Sequence, residues 1–170
     1  MKLKKVKRGL INITDQSVNM GIIFIVLGIV AAVGYTVYSK FWAVNETNVI
    51  SNIINEVRNM GEGNGGYGTA NYNQAIINSE AISSKVKYSG TTIYNHSGGT
   101  ITVVGANTGF TVTSTGLSKK DCINMASQLG TADMASTKIN STSITGVVST
   151  IAATAACSSD SNTVAFTTRG

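Results

Sequence analysis

The sequence has no proline, one tryptophan, one histidine and two cysteines, and only 12% of its 170 residues are charged. Each shortage excludes something. Without proline, no helix in the chain meets the residue that would break it. A single histidine, His96, cannot build a histidine-based metal site, and no plausible base partner stands near it in the chain. Sparse charge with abundant Gly, Ser, Thr and Asn suits a β-rich, turn-rich exported domain better than a cytosolic enzyme. The length leaves room for one compact domain and an appendage, and not for two full domains.

The formal charge of +5 invites a nucleic-acid reading until it is placed along the chain. Lys2, Lys4, Lys5, Lys7 and Arg8 carry the whole excess, and from Leu10 onward eight basic residues face eight acidic ones. A neutral remainder has no electrostatic footprint for DNA, so no nucleic-acid partner is expected. Cys122 and Cys157 fit one disulfide in an exported domain; in a cytosolic chain two small buried thiols would be the simpler reading.

Residues 16–39 hold no charge, and 20–38 (MGIIFIVLGIVAAVGYTVY) are almost continuously apolar. As a helix rising about 1.5 Å per residue, the uncharged run spans about 36 Å, enough for a hydrocarbon layer of about 30 Å. The basic cluster before it stays cytoplasmic, which sends the C-terminal part outward. Tyr35, Tyr38 and Trp42 stand where an aromatic belt would meet the outer interface. A secretory signal would be shorter, with its small-residue cleavage site just after the apolar run; here Ala31, Ala32 and Gly34 lie inside it. A plain signal anchor fits better. It still leaves unexplained the KKVKRG block ending at Gly9 and the polar Asn12, Thr14, Asp15 and Gln16 behind it.

Helical patterning continues beyond the span. Val49, Ile50, Ile53, Ile54, Val57 and Met60 share one face, Glu46 and Glu56 point elsewhere on the wheel, and Gly61 is the natural stop. The pattern predicts one helix over 10–60, membrane-spanning at about 16–39 and amphipathic in its second half. Further on it predicts a short helix over 74–83, strands near 91–94, 100–104 and 109–114, a helical stretch over 145–156 and a final strand over 162–168. Between them a helix opens at Ser118 as N-cap, with Asp121 completing a capping box, Leu117 and Cys122 at staple positions, and Gly130 at the end. The fold class is α+β: a long N-terminal helix packed on an antiparallel sheet in a head over 61–170.

A basic leader ending in Gly, an acid close behind it, a long helix apolar in its first half and a late cysteine pair resemble the type IV pilins. The leader size, the tail AATAACSSDSNTVAF and the segment LSKKDCINMASQLG are similar to the type IVb group, especially bundle-forming and conjugative thin-pilus subunits. The resemblance implies a leader over 1–9, removed by a prepilin peptidase between Gly9 and Leu10, and methylation of the Leu10 amine. Cleavage after Gly21 would leave no acid near the new N-terminus. The family has Glu at the fifth mature position, where this chain has Thr14, with Asp15 sixth. Asp15 is either the acid that pairs with a neighbouring subunit's N-terminal amine or a first-turn acid favoured by the helix dipole, and the two are not exclusive. Gly28 and Ala32 form a small-xxx-small pair that lets helices approach closely, or reflect ordinary small-residue tolerance in a membrane helix.

The function expected from the resemblance is structural: a subunit of a surface filament for adhesion, aggregation or mating contact. It would wait in the bacterial inner membrane as precursor and then join the extracellular fibre. Its partners are identical subunits, the peptidase and the inner-membrane assembly machinery, and the loop closed by Cys122 and Cys157 is implied to supply subunit contacts. A signal-anchored monomeric binding module and a minor pseudopilin of a secretion system are the alternatives. No cofactor, metal or catalytic role is expected. GEGNGGYG over 61–68 lacks the Lys-Ser/Thr of a phosphate loop and follows a helix, so it reads as a turn. Lys119 and Lys120 read as a solvated helix face. Asn45-Glu-Thr and Asn95-His-Ser match a eukaryotic glycosylation pattern that carries no weight in a bacterial setting.

Overall fold

Helix α1 spans Glu46–Gly61 and turns Val49, Ile50, Ile53, Ile54 and Val57 into the core, with Met60 half-buried at its end. Each such side chain removed from water contributes about 1.5–3 kcal/mol before the cost of ordering it. The computed structural model describes residues 20, 23–30, 46–61, 65–80, 82 and 86–170. The chain divides into two units, Met1–Ala43 and Val44–Gly170. In the first, residue 20 and residues 23–30 are helical. Of the single helix expected over 10–60, the other residues before Glu46 lie outside the described residues, and no helix among those described is long and apolar enough to cross a membrane.

The second unit is an α+β head on a seven-stranded antiparallel sheet. Its strands are β1 (Tyr88–Ser89), β2 (Thr92–Tyr94), β3 (Thr100–Ala106), β4 (Gly109–Leu117), β5 (Met134–Ile139), β6 (Thr142–Ile144) and β7 (Asn162–Thr168). Their order is β1-β2-β3-β4-β7-β5-β6, so the last strand made is inserted at the sheet's middle. Phe166 on β7 pairs with Val112 on β4 and with Thr137 on β5. Along β7 alternation is strict: Asn162, Val164, Phe166 and Thr168 are buried, and Thr163, Ala165 and Thr167 are half-covered. Helix α3 (Lys119–Leu129) packs on this layer through Cys122, Met125 and Ala126, beside α1.

Several expected elements have different bounds. The helix expected over 74–83 is α2, Asn73–Asn78, ended by turn residues and Glu80 at φ 55. The stretch over 145–156 becomes α4, Thr150–Ala156, because Ser149 caps it by accepting from the Ala152 N–H at 3.2 Å and Gly146 takes φ 80 upstream. Strands β1, β5 and β6 had no clear sequence pattern. In β5 a bulge between Met134 and Ser136 breaks the two-residue period, and the buried Thr137 looks polar on paper.

Four asparagines hold the connections. Asn73 Nδ2 donates to the carbonyls of Ile101 and Thr91, and its Oδ1 accepts from the Val103 N–H at 2.9 Å, fastening α2 to β3. Asn95, set aside above as a glycosylation pattern, is buried and closes the β2–β3 turn by accepting from the Gly99 N–H at 2.7 Å. Asn140 donates to Asn162 Oδ1 and to the Ala156 carbonyl, both at 2.9 Å, tying the β5–β6 turn to the end of α4. Residues 62–64 of the glycine-rich stretch, expected as a turn, lie outside the described residues; beyond them Tyr67 lies over Gly61, its hydroxyl donates to the Arg58 carbonyl, and a Cβ at position 61 would strike its ring.

Candidate functional site

The residues with functional expectations fall into three places. Gly9, Leu10, Asp15 and Ala32 lie outside the described residues. Gly28 sits in the helical stretch over 23–30, and a Cβ added there would meet nothing within 4 Å. Around it, Ile23, Phe24, Ile25, Val26, Leu27, Ile29 and Val30 are all between 51% and 69% exposed. A helix apolar on every side has no water-facing surface. Left in water, a contiguous apolar patch of this kind is unfavourable as a free surface.

The second place is the lobe closed by Cys122 and Cys157, which the structure bonds across a Cα–Cα distance of 6.0 Å. Cys122 lies in the first turn of α3 and Cys157 caps the C-terminus of α4, so the bond joins the two helices. Ser118 caps α3 as expected, accepting from the Asp121 N–H at 3.1 Å. The Asp121 carboxylate departs from the expected box: it takes the hydroxyl of Ser118 at 2.6 Å and that of Ser97 at 3.3 Å. Leu117 and Cys122, the staple pair, are both fully buried. Gly130 fits beneath Val148, whose N–H donates to its carbonyl at 2.8 Å, and this pins the loop before α4. On the lobe's outer side Val147 and Ile151 are 68% and 84% exposed, four residues apart. Lys119 and Lys120 are exposed, as expected of a solvated face.

The third place was invisible in the sequence. Glu46, expected to point away from the apolar face of α1, is buried against the turn that follows β2. Its Oε1 accepts from the Ser97 N–H at 2.7 Å, while its Oε2 is buried with no hydrogen-bond partner among the described residues. Burial pushes its carboxyl above the ordinary value; the Ser97 N–H and hydroxyl and the His96 N–H, as nearby dipoles, oppose that, and the Asp121 charge adds to it. Beside it opens a cavity of about 300 Å³ lined by Val49, Val86, Tyr94 and Ile101, with Lys87 and His96 also on its wall. His96 is otherwise the exposed loop residue expected of it. The only hint in the sequence was an acid in the first turn of an apolar-faced helix.

Among the described residues no group of three His, Cys, Asp or Glu side chains could hold a metal ion. A family model described as PilS N terminal matches residues 42–169. Comparison with curated proteins and with solved structures finds no match.

Proposed function

The chain belongs to the PilS N-terminal family, a pilin-related group, and from that premise we propose that it is the precursor of a type IVb-like pilus subunit. The observation that carries the proposal is the helix over 23–30, whose large side chains are all apolar and all uncovered. In the precursor, lipid covers them; in the fibre, identical helices do. Small residues such as Gly28 favour the exchange, because they let helix backbones approach closely and trade lipid contacts for protein contacts of equal apolarity.

On this reading the prepilin peptidase cuts between Gly9 and Leu10 and removes the positive leader. The new Leu10 amine and the Asp15 carboxylate then carry opposite charges near one end of an apolar rod. A carboxylate there costs several kcal/mol in a hydrocarbon setting unless it is paired, so the amine of a neighbouring subunit both offsets it and sets the stagger between helices. The head, outside the membrane, forms the fibre's outer layer, and the disulfide-closed lobe offers Val147 and Ile151 as apolar contacts to adjacent heads. The role is structural, with no catalytic step.

Mass spectrometry of protein sheared from cell surfaces, with electron microscopy of the same fraction, tests the proposal. A methylated Leu10 start in filaments is the expected result. An intact Met1 on protein that never forms fibres would overturn it.

A further inference from the structure

We infer that the cavity beside Glu46 is a binding site for an alkylammonium group, with Glu46 Oε2 as its charge partner and Val49, Val86, Tyr94 and Ile101 as its apolar walls. This goes beyond the assembly reading and stands without it. The argument begins with what Glu46 does already. Its Oε1 takes the Ser97 N–H, which fixes the turn after β2 to the start of α1. A glutamine would make that same bond with no ionisable group to bury. What a glutamate adds is negative charge, and half of its carboxylate meets no donor among the described residues. A buried acceptor left unmatched is costly, and a buried charge more so.

The chemistry of the missing partner follows from the surroundings. An anion is excluded by the carboxylate itself. A neutral donor would satisfy the oxygen and leave the charge without a counterion. A divalent metal needs more oxygen ligands than one free carboxylate oxygen supplies, and the Asp121 carboxylate is already engaged by Ser97 and Ser118. An ammonium supplies both a donor and a charge. About 300 Å³ is roughly ten water volumes, so the space admits an alkyl stem as well as the head, and the aliphatic walls favour one. Lys87 on the same wall adds positive charge, which opposes a polyvalent cation more than a single ammonium. That group can come from a free amine or from a lysine side chain of a second copy.

The test is titration of n-butylammonium chloride into the full-length chain in detergent micelles at low salt, followed by the amide resonances of Tyr94, His96 and Ser97. Saturable shifts at these positions are expected, with 1-butanol at least tenfold weaker. Glu46→Gln should weaken n-butylammonium at least tenfold and leave 1-butanol unchanged. Lys87→Met, at an exposed position that does not threaten folding, should tighten it about threefold by removing a like charge. Sedimentation of the same samples separates the sources: a second copy is the occupant when n-butylammonium dissolves self-association, and a free amine when it does not. Either result retains the site. No saturable shift, or equal affinity for the alcohol and the ammonium, or an unaltered affinity in Glu46→Gln, overturns it.

Discussion

The two units use the same residue types in opposite ways. In the head, Ile50, Ile53, Ile101, Val103, Val112, Val164 and Phe166 are withdrawn from water almost completely. In the N-terminal unit, Ile23, Phe24, Ile25, Val26 and Val30 form a helix and remain more than half exposed. Composition does not separate them; periodicity does. Along α1 the apolar residues recur on one face, so a single layer can cover them. Over 23–30 they occupy every direction, so no single layer of the same chain can. The head is therefore a folding unit that covers its own apolar residues, and the helix over 23–30 leaves its apolar residues uncovered.

The largest effect that sharpens this contrast should come from the head's covalent tie. Closing the 35-residue separation between Cys122 and Cys157 is worth about 4 kcal/mol in the chain-entropy model. The paired change Cys122→Ser with Cys157→Ser is expected to remove most of that from the head, read as a lowered urea midpoint of the full chain in detergent. Helicity of the N-terminal segment should survive, because the bond lies wholly in the head. A midpoint that does not move would mean that α3 and α4 are held by packing alone.

Next in size is a matched pair of truncations. Ile53→Ala, at a fully buried site on α1, should cost about 3 kcal/mol of head stability through lost burial and the cavity left behind. Ile25→Ala deletes the same atoms from an exposed site and should change the head's midpoint by less than about 0.5 kcal/mol. Equal losses in the two variants would break the contrast between the units. The difference is measured by the same urea titration, so detergent and method cancel.

How much of this was readable from residues alone follows the same division. The apolar face of α1, its stop at Gly61, the cap at Ser118, the staple of Leu117 with Cys122 and the whole of β7 were legible, because each is a local rule with a local signal. The sheet order was not. Nothing near 162–168 says that the last strand enters between β4 and β5. Strand β5 stayed hidden behind its bulge and buried Thr137, and the short β1 and β6 offer too few residues for a period. The asparagine ties were missed for a different reason: Asn73, Asn95, Asn140 and Asn162 read as turn formers, and only the fold shows the distant backbone groups that they satisfy. Glu46 belongs with them. A helical wheel places it off the apolar face, but the turn after β2 closes over it from outside the helix.

Glu46 Oε2 and Thr137 Oγ1 are the two places among the described residues where the rule that buried polar groups are matched is broken, and the smallest expected effect tests the charged one. Burial makes its carboxyl hold a proton to higher pH in the folded chain than in the unfolded one. Over the window from the ordinary carboxylate value up to the raised one, the folded state therefore binds more protons than the unfolded state. Stability must fall as pH rises through that window and level off above it, the reverse of a carboxylate held by a salt bridge. Lys87 and His96 line the same cavity and the Asp121 charge acts on Glu46, so the native slope alone does not isolate it. The difference between Glu46→Gln and the native chain isolates Glu46, because the other groups are common to both. That difference should grow in favour of the variant as pH rises and then become constant, with the introduced amide oxygen keeping the acceptor that Ser97 requires. A difference that is flat with pH, or that favours the native chain more strongly at neutral pH, would mean that Oε2 already has a counterion in solution and that the head leaves no charge unmatched.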